Sequence, residues 1–550
     1  METEMKSLRT IIFLFCLLLA NQSSAQVPVS LMDRLPLVPQ PQRLVYHDEY
    51  IEFPDTISIT GLDPYHPAQK RTGETLQTLF SRMPDVFVCT NSAASFDISF
   101  ERSSLTVPAE GYKLFITSDG ITIVSASPAA EYYAAQTLYQ ILAYSYFGGR
   151  LLFSWEAPVE AGAVEKKYIP LLEIMDYPQY QRRSLMIDMG RSVFSKPLIE
   201  RIIRIMSHLK MNMLHVHLYD DEMCGFRFEH LSLGSENPFA LTADDFTALI
   251  KYARSYHIGV MPELESWGHV KSVIYHYPEC YGGPGMYGGA SFAIGEKTYH
   301  LLEKIYEEII LCLEDSADVH VGLDEAKWAV YPQEADRGYT PETHVGRIYD
   351  ILMSLGERHH KKITMHLWAD HGDRPIPDRI DSNLVIQPWK YRRSDAGDIK
   401  AALKKYGGKT RFPVMMGGGV RSVCYDGCFA ATREWARAGI VYPNVIGGTV
   451  CIWGTNQIEE RLVGIYAGAD YLWTPATPKA RINDPYDEQL RADILTNMRK
   501  WQFVFAEALP ERIIQDEGPE VHLGRYVWPP FAHQGVTPVV DFNPEEDIEK

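Results

Sequence analysis

The sequence lacks the features that mark several large classes of protein. It has 53 lysines and arginines against 71 acidic residues, and its formal net charge is −18. A nucleic-acid-binding surface needs clustered basic groups to neutralise phosphates. After the first 25 residues, no apolar run is long enough to cross a bilayer. We therefore predict no nucleic-acid partner and no membrane span for the mature chain.

Cysteine is also scarce. The chain has eight cysteines, of which Cys16 lies in the amino-terminal apolar run and the other seven are scattered. An odd, scattered set does not predict a disulfide framework. Cys424 and Cys428 form a Cys-x3-Cys pair without a second Cys/His pair nearby. We expect a disulfide or two free thiols there rather than a metal site.

The amino terminus has the pattern of an export signal. Lys6 and Arg9 precede the apolar run 11–20, and small residues, Ser23 and Ala25, occupy the −3 and −1 positions of a cleavage site before Gln26. We predict that residues 1–25 are a signal peptide. The mature protein is then exported, either to the periplasm or as a secreted protein.

Hydrophobic periodicity divides the rest of the chain into two folded parts and a tail. Residues 26–174 combine short alternating runs with two helical stretches, which predicts a small α+β domain. Residues 175–510 alternate apolar runs with helical stretches, which predicts an α/β fold, a closed (β/α)8 TIM barrel; an open doubly wound sheet is the alternative. Residues 511–550 are a tail rich in proline and acidic residues. The predicted barrel strands are 184–187, 213–218, 258–262, 319–321, 363–368, 384–387, 412–416 and 450–453, and the predicted helices include 198–209, 244–256, 297–313, 347–359 and 487–505.

Acidic residues or tryptophans follow most of the predicted strands. In a parallel barrel the carboxyl ends of all strands open into one mouth, where active sites lie. The adjacent pair Asp324 and Glu325 can face one pocket only if the strand ends or bends between them, because neighbouring side chains on a strand point to opposite faces. We therefore predict a functional mouth. Its candidate residues are Asp188, Asp220, Asp221, Glu222, Glu263, Glu265, Asp324, Glu325, Trp368, Asp370, Gln387, Trp389, Trp453 and Asn456.

Carboxylates and tryptophans at one mouth fit a neutral, polyhydroxylated substrate. Glycoside hydrolysis needs a proton donor of raised pKa and a second anion that stabilises positive charge. A metal site is the competing interpretation, because His215 and His217 share a strand face and Asp220 or Glu263 could complete the ligand set. We predict no cofactor and no metal, because the carboxylates and tryptophans already account for the mouth.

Seven segments, in order and at barrel spacing, resemble the family 20 glycoside hydrolases, the β-N-acetylhexosaminidases. The resemblance extends from about residue 35 to residue 505. His320-Val-Gly-Leu-Asp-Glu325 is similar to the catalytic motif of that family. The other matching segments are 36–41, 110–114, 135–140, 183–188, 210–221 and 262–269.

The resemblance implies an exo-acting glycoside hydrolase whose partner is a carbohydrate with a terminal β-linked N-acetylhexosamine, either GlcNAc or GalNAc. It also implies a substrate-assisted retaining mechanism, in which the 2-acetamido oxygen of the substrate attacks and forms an oxazolinium ion. The alternative is a catalytically silent sugar-binding barrel of the same fold. The natural glycan and the oligomeric state are not predicted.

The resemblance implies roles for individual residues as well. Glu325 is the expected general acid and later the general base. Asp324 is expected to orient the acetamide and to stabilise the developing cation, and His269 is expected to support Glu325. The other implied substrate-binding residues contact the ring hydroxyls (Arg183, with Asp220 or Asp221) or wall the pocket around the acetamide and the ring (Trp368, Trp389 and Trp453).

The sequence departs from the family pattern at three places. Leu323 replaces a glycine that many members have before the acidic pair. Thr455 and Asn456 follow the last-strand Trp-Gly, where many members have a glutamate. The Tyr-x-Asp with which the family grips the acetamide is not recognisable after the seventh strand, where Met416-Gly-Gly-Gly419 stands, and Tyr391 and Tyr425 are the candidate substitutes. These departures leave the acidic pair intact and bear on sugar specificity.

Overall fold

The structure is a computed structural model, and it describes residues 35–475 apart from several short gaps. Five predictions lie outside the described residues: the signal peptide, the tail, helix 487–505, Asp370 and Tyr425. The pairing of Cys424 with Cys428 lies outside them too, and Cys89, Cys224, Cys312 and Cys451 are free thiols. The gaps are residues 36, 64, 91–93, 95, 104–107, 148–166, 327–336, 370–375, 381, 392–395, 409, 420–427 and 457.

The first domain is a layered α+β unit. Its strands are β1 (Arg43–Glu52), β2 (Thr56–Thr60), β3 (Phe87–Thr90), β4 (Phe96–Arg102), β5 (Tyr112–Ile116), β6 (Gly120–Ser125) and β7 (Tyr168–Asp176), and its helices are α1 (Pro67–Phe80) and α2 (Pro128–Phe147). The strands form one mixed sheet in the order β1-β7-β5-β6-β4-β2-β3. Buried and half-buried side chains alternate along β5 and β6, so one face of the sheet packs against α2.

The second domain is a closed barrel of eight parallel strands. The strands are β8 (Arg182–Asp188), β9 (Met213–His217), β10 (Gly259–Glu263), β13 (Ser316–His320), β14 (Lys362–Trp368), β15 (Leu384–Gln387), β16 (Val414–Gly419) and β17 (Val445–Ile452). Their order is β10-β13-β14-β15-β16-β17-β8-β9, with β9 paired to β10. The predicted (β/α)8 barrel is confirmed, and the open sheet is excluded because both would-be edge strands are paired.

Helices follow most of the barrel strands. They are α3 (Lys196–His208), α4 (Ala243–Ser255), α5 (Lys271–His276), α6 (Glu296–Cys312), α7 (Pro341–Arg358), α8 (Ala396–Tyr406), α9 (Cys428–Gly439) and α10 (Leu462–Trp473). The spacing of apolar residues predicted α3, α4 and α6 to within two residues at each end. It placed the start of α7 six residues late, because the first turn of α7 (Pro-Glu-Thr-His) has no apolar residue before Val345. No helix among the described residues combines the length and the apolar character that a membrane crossing requires.

A hairpin that the sequence pattern did not predict lies between β10 and α6. Its strands are β11 (Tyr281–Pro284) and β12 (Ala290–Phe292), paired antiparallel. The first strand reads Tyr-Gly-Gly-Pro and the turn contains three more glycines. Such a segment carries no hydrophobic period, so periodicity cannot reveal it.

Two buried charges join the domains. The Lys210 ammonium, at the start of the loop before β9, donates to Asp176 Oδ2 at 2.9 Å and to Tyr112 Oη at 2.8 Å. Both side chains of the ion pair are fully buried. Trp473 Nε1 donates to the other oxygen of Asp176 at 2.7 Å. Both charges of the pair therefore have hydrogen-bond partners, which offsets part of the cost of burying them.

Candidate active site

The acidic pair lies where β13 has ended and the chain turns. Gly322, Leu323 and Glu325 have positive φ angles of 64°, 77° and 44°. Because the chain turns here, the side chains of Asp324 and Glu325 do not point to opposite faces as they would on a strand. Both approach the same histidine. His269 Nε2 lies 3.3 Å from Glu325 Oε2 and 3.7 Å from Asp324 Oδ2. Left-handed conformations at two non-glycine residues store local strain, which is common at functional sites.

A buried acid supports this turn from below. The amide of Leu323 donates to Glu265 Oε2 at 3.3 Å, and the Cα of Gly322 lies so close to that carboxyl group that an added β-carbon would overlap it. Burial, together with the charge of Asp324, raises the pKa of Glu265. The raised pKa favours the neutral form of Glu265, which repels the acidic pair less than a carboxylate would.

His269 connects the acidic pair to a second pair of carboxylates. Its Nδ1 lies 3.3 Å from Asp220 Oδ1 and 3.4 Å from Asp221 Oδ2. Burial opposes its charge, but Asp220 and Asp324 outweigh that effect and raise the pKa of His269 well above its usual range. An imidazolium cation therefore lies between four carboxylates.

Arg191 is the arginine at the mouth, and sequence reasoning missed it. It donates to Asp188 Oδ2 at 3.1 Å and contacts Asp220 Oδ2 at 2.6 Å, while its guanidinium lies 5.2 Å from the centre of the Trp453 ring. Asp188 also accepts the amides of Gly190 and Arg191, and this turn directs the arginine into the mouth. The sequence does contain a feature that could have identified Arg191: it stands three residues after the aspartate that ends the strand, in Asp188-Met-Gly-Arg191.

Arg183 is not at the mouth, which corrects its assignment to sugar binding. It is 1% exposed and donates to Lys210 O at 2.8 Å and to Glu110 Oε2 at 2.9 Å. It lies five residues before Asp188, or roughly 16 Å along a strand. No arginine side chain can cover that distance, so Arg183 belongs to the junction with the first domain.

Glu263 is a buried acid at the floor of the mouth, and it contacts three histidines. Glu263 Oε2 lies 3.0 Å from His215 Nε2 and 2.8 Å from His217 Nδ1. Glu263 Oε1 lies 3.2 Å from His320 Nδ1 and accepts from Trp368 Nε1 at 2.5 Å. Burial opposes ionisation, but His217 and His320 hold the pKa of Glu263 well below its usual range. This anion fixes the orientation of the tryptophan above it.

Within the described part of the chain, four groups of side chains bring ligand atoms close enough to hold a metal ion. They are His215 with Glu263 and His320; His217 with Glu263 and Glu265; Asp220 with Asp221 and His269; and His269 with Asp324 and Glu325. In each group a histidine nitrogen and a carboxylate oxygen already pair at 3.4 Å or less. These groups therefore have an explanation as hydrogen-bonded acid–base pairs, and the absence of a metal requirement stays a prediction.

An aromatic wall borders the mouth. Trp368 and Trp453 lie 6.1 Å apart between ring centres, and Trp389 stacks on Tyr391 at 5.0 Å. The four rings pack with Cys451 in one apolar cluster. Of the two tyrosines that could grip an acetamide, Tyr391 is therefore part of the wall, whereas Tyr425 lies outside the described residues.

Asn456 and Glu222 have roles that the sequence did not assign. Asn456 is buried and donates to Val193 O at 2.8 Å, so it braces the loop after β8. Glu222 Oε2 lies 3.6 Å from Arg191 Nε. Burial, followed by the charge of Asp220, raises the pKa of Glu222 to about 8.

The raised pKa of Glu222 predicts a pH-dependent stability. Between its usual pKa of 4.5 and about 8, the folded protein retains a proton that the unfolded chain releases, so this group lowers stability as pH rises. Glu222→Gln should therefore raise the melting temperature at pH 8 and leave it nearly unchanged at pH 4.5. Thermal unfolding across this range measures it, with Glu357→Gln, at an exposed position of α7, as the control. Parallel curves for the wild type and Glu222→Gln would contradict the assignment.

Comparisons with known sequences agree with this geometry. The family model "Glycosyl hydrolase family 20, catalytic domain" matches residues 180–406, and the model of domain 2 of the same family matches residues 34–177. Beta-hexosaminidase subunit beta of Sus scrofa is 24% identical over 341 residues, which are 55% of this chain and 61% of that protein. Beta-hexosaminidase subunit A2 of Dictyostelium discoideum is 33% identical over 199 residues, which are 34% of this chain and 37% of that protein. The chain thus spans less than two thirds of the length of these relatives.

Solved structures share the fold at low sequence identity. The chitobiase of Flavobacterium johnsoniae superposes with a TM-score of 0.64 at 18% identity, over 87% of this chain and 74% of that one. The β-N-acetylhexosaminidase of Bacteroides fragilis gives 0.59 at 19% identity, over 84% of this chain and 96% of that one. The two domain matches cover most of the described chain, and the predicted resemblance is confirmed: the chain belongs to glycosyl hydrolase family 20.

Proposed function

We propose that the protein is an exo-acting β-N-acetylhexosaminidase that removes terminal β-linked N-acetylhexosamine by a substrate-assisted retaining mechanism. The observation that carries this proposal is the approach of Asp324 and Glu325 to one histidine at an aromatic-walled mouth. The names of its relatives support the same activity.

Glu325 and His269 together hold the proton that acid catalysis needs. Burial opposes ionisation of Glu325, but the hydrogen bond from His269 lowers the pKa of Glu325. In the empty site the shared proton therefore resides on His269 Nε2. Substrate that displaces water from the mouth favours the neutral pair, because a low dielectric penalises separated charges. The proton then moves to Glu325, which delivers it to the glycosidic oxygen.

Asp324 acts on the other side of the reacting carbon. As the bond between C1 and the glycosidic oxygen breaks, the acetamide oxygen of the substrate forms a new bond to C1. Asp324 accepts the acetamide N–H and stabilises the positive charge of the oxazolinium ion. Glu325, now a carboxylate, takes a proton from the water that opens this ring. Arg191 and Asp220 are the groups that we assign to the ring hydroxyls.

Incubation with nitrophenyl β-glycosides of GlcNAc and GalNAc tests the proposal. Turnover of either sugar is the expected result. The alternative, a catalytically silent sugar-binding barrel, gives no turnover with either sugar over a wide pH range but still raises the melting temperature when N-acetylglucosamine is added. The pattern of residues 6–25 additionally supports export, which we retain as part of this proposal.

A further inference from the structure

The hairpin formed by β11 and β12 exposes apolar side chains beside the acidic pair. Tyr281, Met286 and Tyr287 are 50%, 39% and 64% exposed. They are three of the nine large apolar side chains that are exposed among the described residues. A concentration of such residues in a segment of twelve marks a surface that meets a ligand rather than only solvent.

The tip of this hairpin touches Glu325. Tyr287 Oη donates to Glu325 Oε1 at 3.4 Å, although the two residues are 38 positions apart in the chain. Tyr287 has a φ of 52°, which a bulky residue rarely adopts. The turn therefore places the tyrosine at the carboxyl group despite local strain, which points to a function for that position.

The hairpin is held in place by the same carboxylates that hold His269. The amide of Ala290 donates to Asp221 Oδ1 at 3.0 Å, and Lys271 Nζ donates to Gly288 O at 3.1 Å. Asp221 Oδ2 in turn faces His269 Nδ1. These hydrogen bonds hold the backbone of the turn beside the active site, and the turn presents the Tyr287 ring next to Glu325.

We propose that Tyr287 forms the subsite for the leaving group and that this subsite accepts a pyranose ring. The inference rests on the proposed function. A general acid touches the oxygen of the departing group, so the first ring of that group lies within a few bonds of Glu325. His269 contacts Oε2 of Glu325. Tyr287 lies on the exposed side of the carboxyl group, next to Oε1. An aromatic ring there can stack on the apolar face of a sugar ring.

Three variants and two substrates test this subsite. The substrates are a β-linked disaccharide of N-acetylglucosamine, which has a leaving-group ring, and N-acetylglucosaminyl fluoride, which has none and needs no proton. Tyr287→Ala should lower kcat/KM for the disaccharide by about 3- to 10-fold relative to Tyr287→Phe, because only the alanine variant loses the ring that stacks on the sugar. With the fluoride the two variants should agree within about twofold. Tyr65→Ala, at an exposed tyrosine of the first domain, should change neither rate.

The outcomes separate this inference from the proposed function. If Tyr287→Ala and Tyr287→Phe act equally on the disaccharide, the ring does not contact the leaving group and the subsite is wrong, even though the enzyme is active. A matched loss on both substrates shows that Tyr287 acts on the N-acetylglucosamine that both substrates share or on the shape of the site, which also overturns the subsite. Failure of the wild type to turn over either substrate overturns the proposed function and the subsite with it.

Discussion

Glu325→Gln should slow the hydrolysis of alkyl and sugar glycosides by about 10²–10⁴-fold, the usual worth of general acid catalysis. Nitrophenyl glycosides should lose much less in the first step, because nitrophenolate departs without a proton. The test measures kcat/KM of Glu325→Gln and of the wild type with both substrate classes. The loss for alkyl and sugar glycosides is then compared with the loss for nitrophenyl glycosides.

Asp324→Asn should behave differently, because every substrate passes through the same oxazolinium ion. Loss of this electrostatic stabilisation should cost about 10²–10³-fold for alkyl and nitrophenyl glycosides alike. Both replacements are nearly isosteric, so melting temperatures serve as the control for folding. The assignment of Glu325 as the general acid and Asp324 as the stabilising group would be contradicted by equal leaving-group sensitivity in the two variants. A glycosyl ester trapped on either carboxylate would contradict it as well.

Arg191→Lys should lower kcat/KM by roughly 10- to 100-fold, since hydrogen bonds to charged groups are worth about 1.5–3 kcal/mol each. The planar guanidinium contacts Asp188 and Asp220 at once, and an ammonium cannot reproduce that fork. Without it, Asp220 loses a partner that helps to position His269. Initial rates over a range of substrate concentrations measure the effect.

Arg183→Lys is the matched control for this exchange. Arg183 carries its own set of acceptors at the other end of the barrel, so its replacement should lower the melting temperature and leave kcat/KM per folded molecule within about twofold. If Arg183→Lys instead raised KM without changing the melting temperature, Arg183 would have to be assigned to the sugar site after all. A fully active Arg191→Lys enzyme would remove Arg191 from it.

The barrel could be predicted because its signal is local. The strands are short, largely buried apolar runs, and most of them are followed by a helix, so periodicity finds them. The placement of Asp324 and Glu325 also followed from local rules, since adjacent acids can face one pocket only beyond the end of a strand. Both conclusions needed no knowledge of distant contacts.

The parts of the site that could not be predicted depend on turns and on long-range contacts. Arg183 and Arg191 lie near the two ends of the same strand, and only the turn after Asp188 decides which of them enters the mouth. The contact between Tyr287 and Glu325 requires a hairpin without any hydrophobic period. The raised pKa of Glu265 arises from its burial and from the charge of Asp324; the sequence placed both residues at the mouth but did not show that one lies beneath the other.

Because of the ion pair between Lys210 and Asp176, the stability of the barrel depends on the first domain. A barrel produced alone would carry the Lys210 ammonium and the Arg183 guanidinium without Asp176 and Glu110, the carboxylates that face them. Removing one partner of a buried pair costs about 3–5 kcal/mol, a large share of the stability of an ordinary domain. Transplanting this barrel into another protein therefore means carrying the first domain along or replacing both cations with apolar residues.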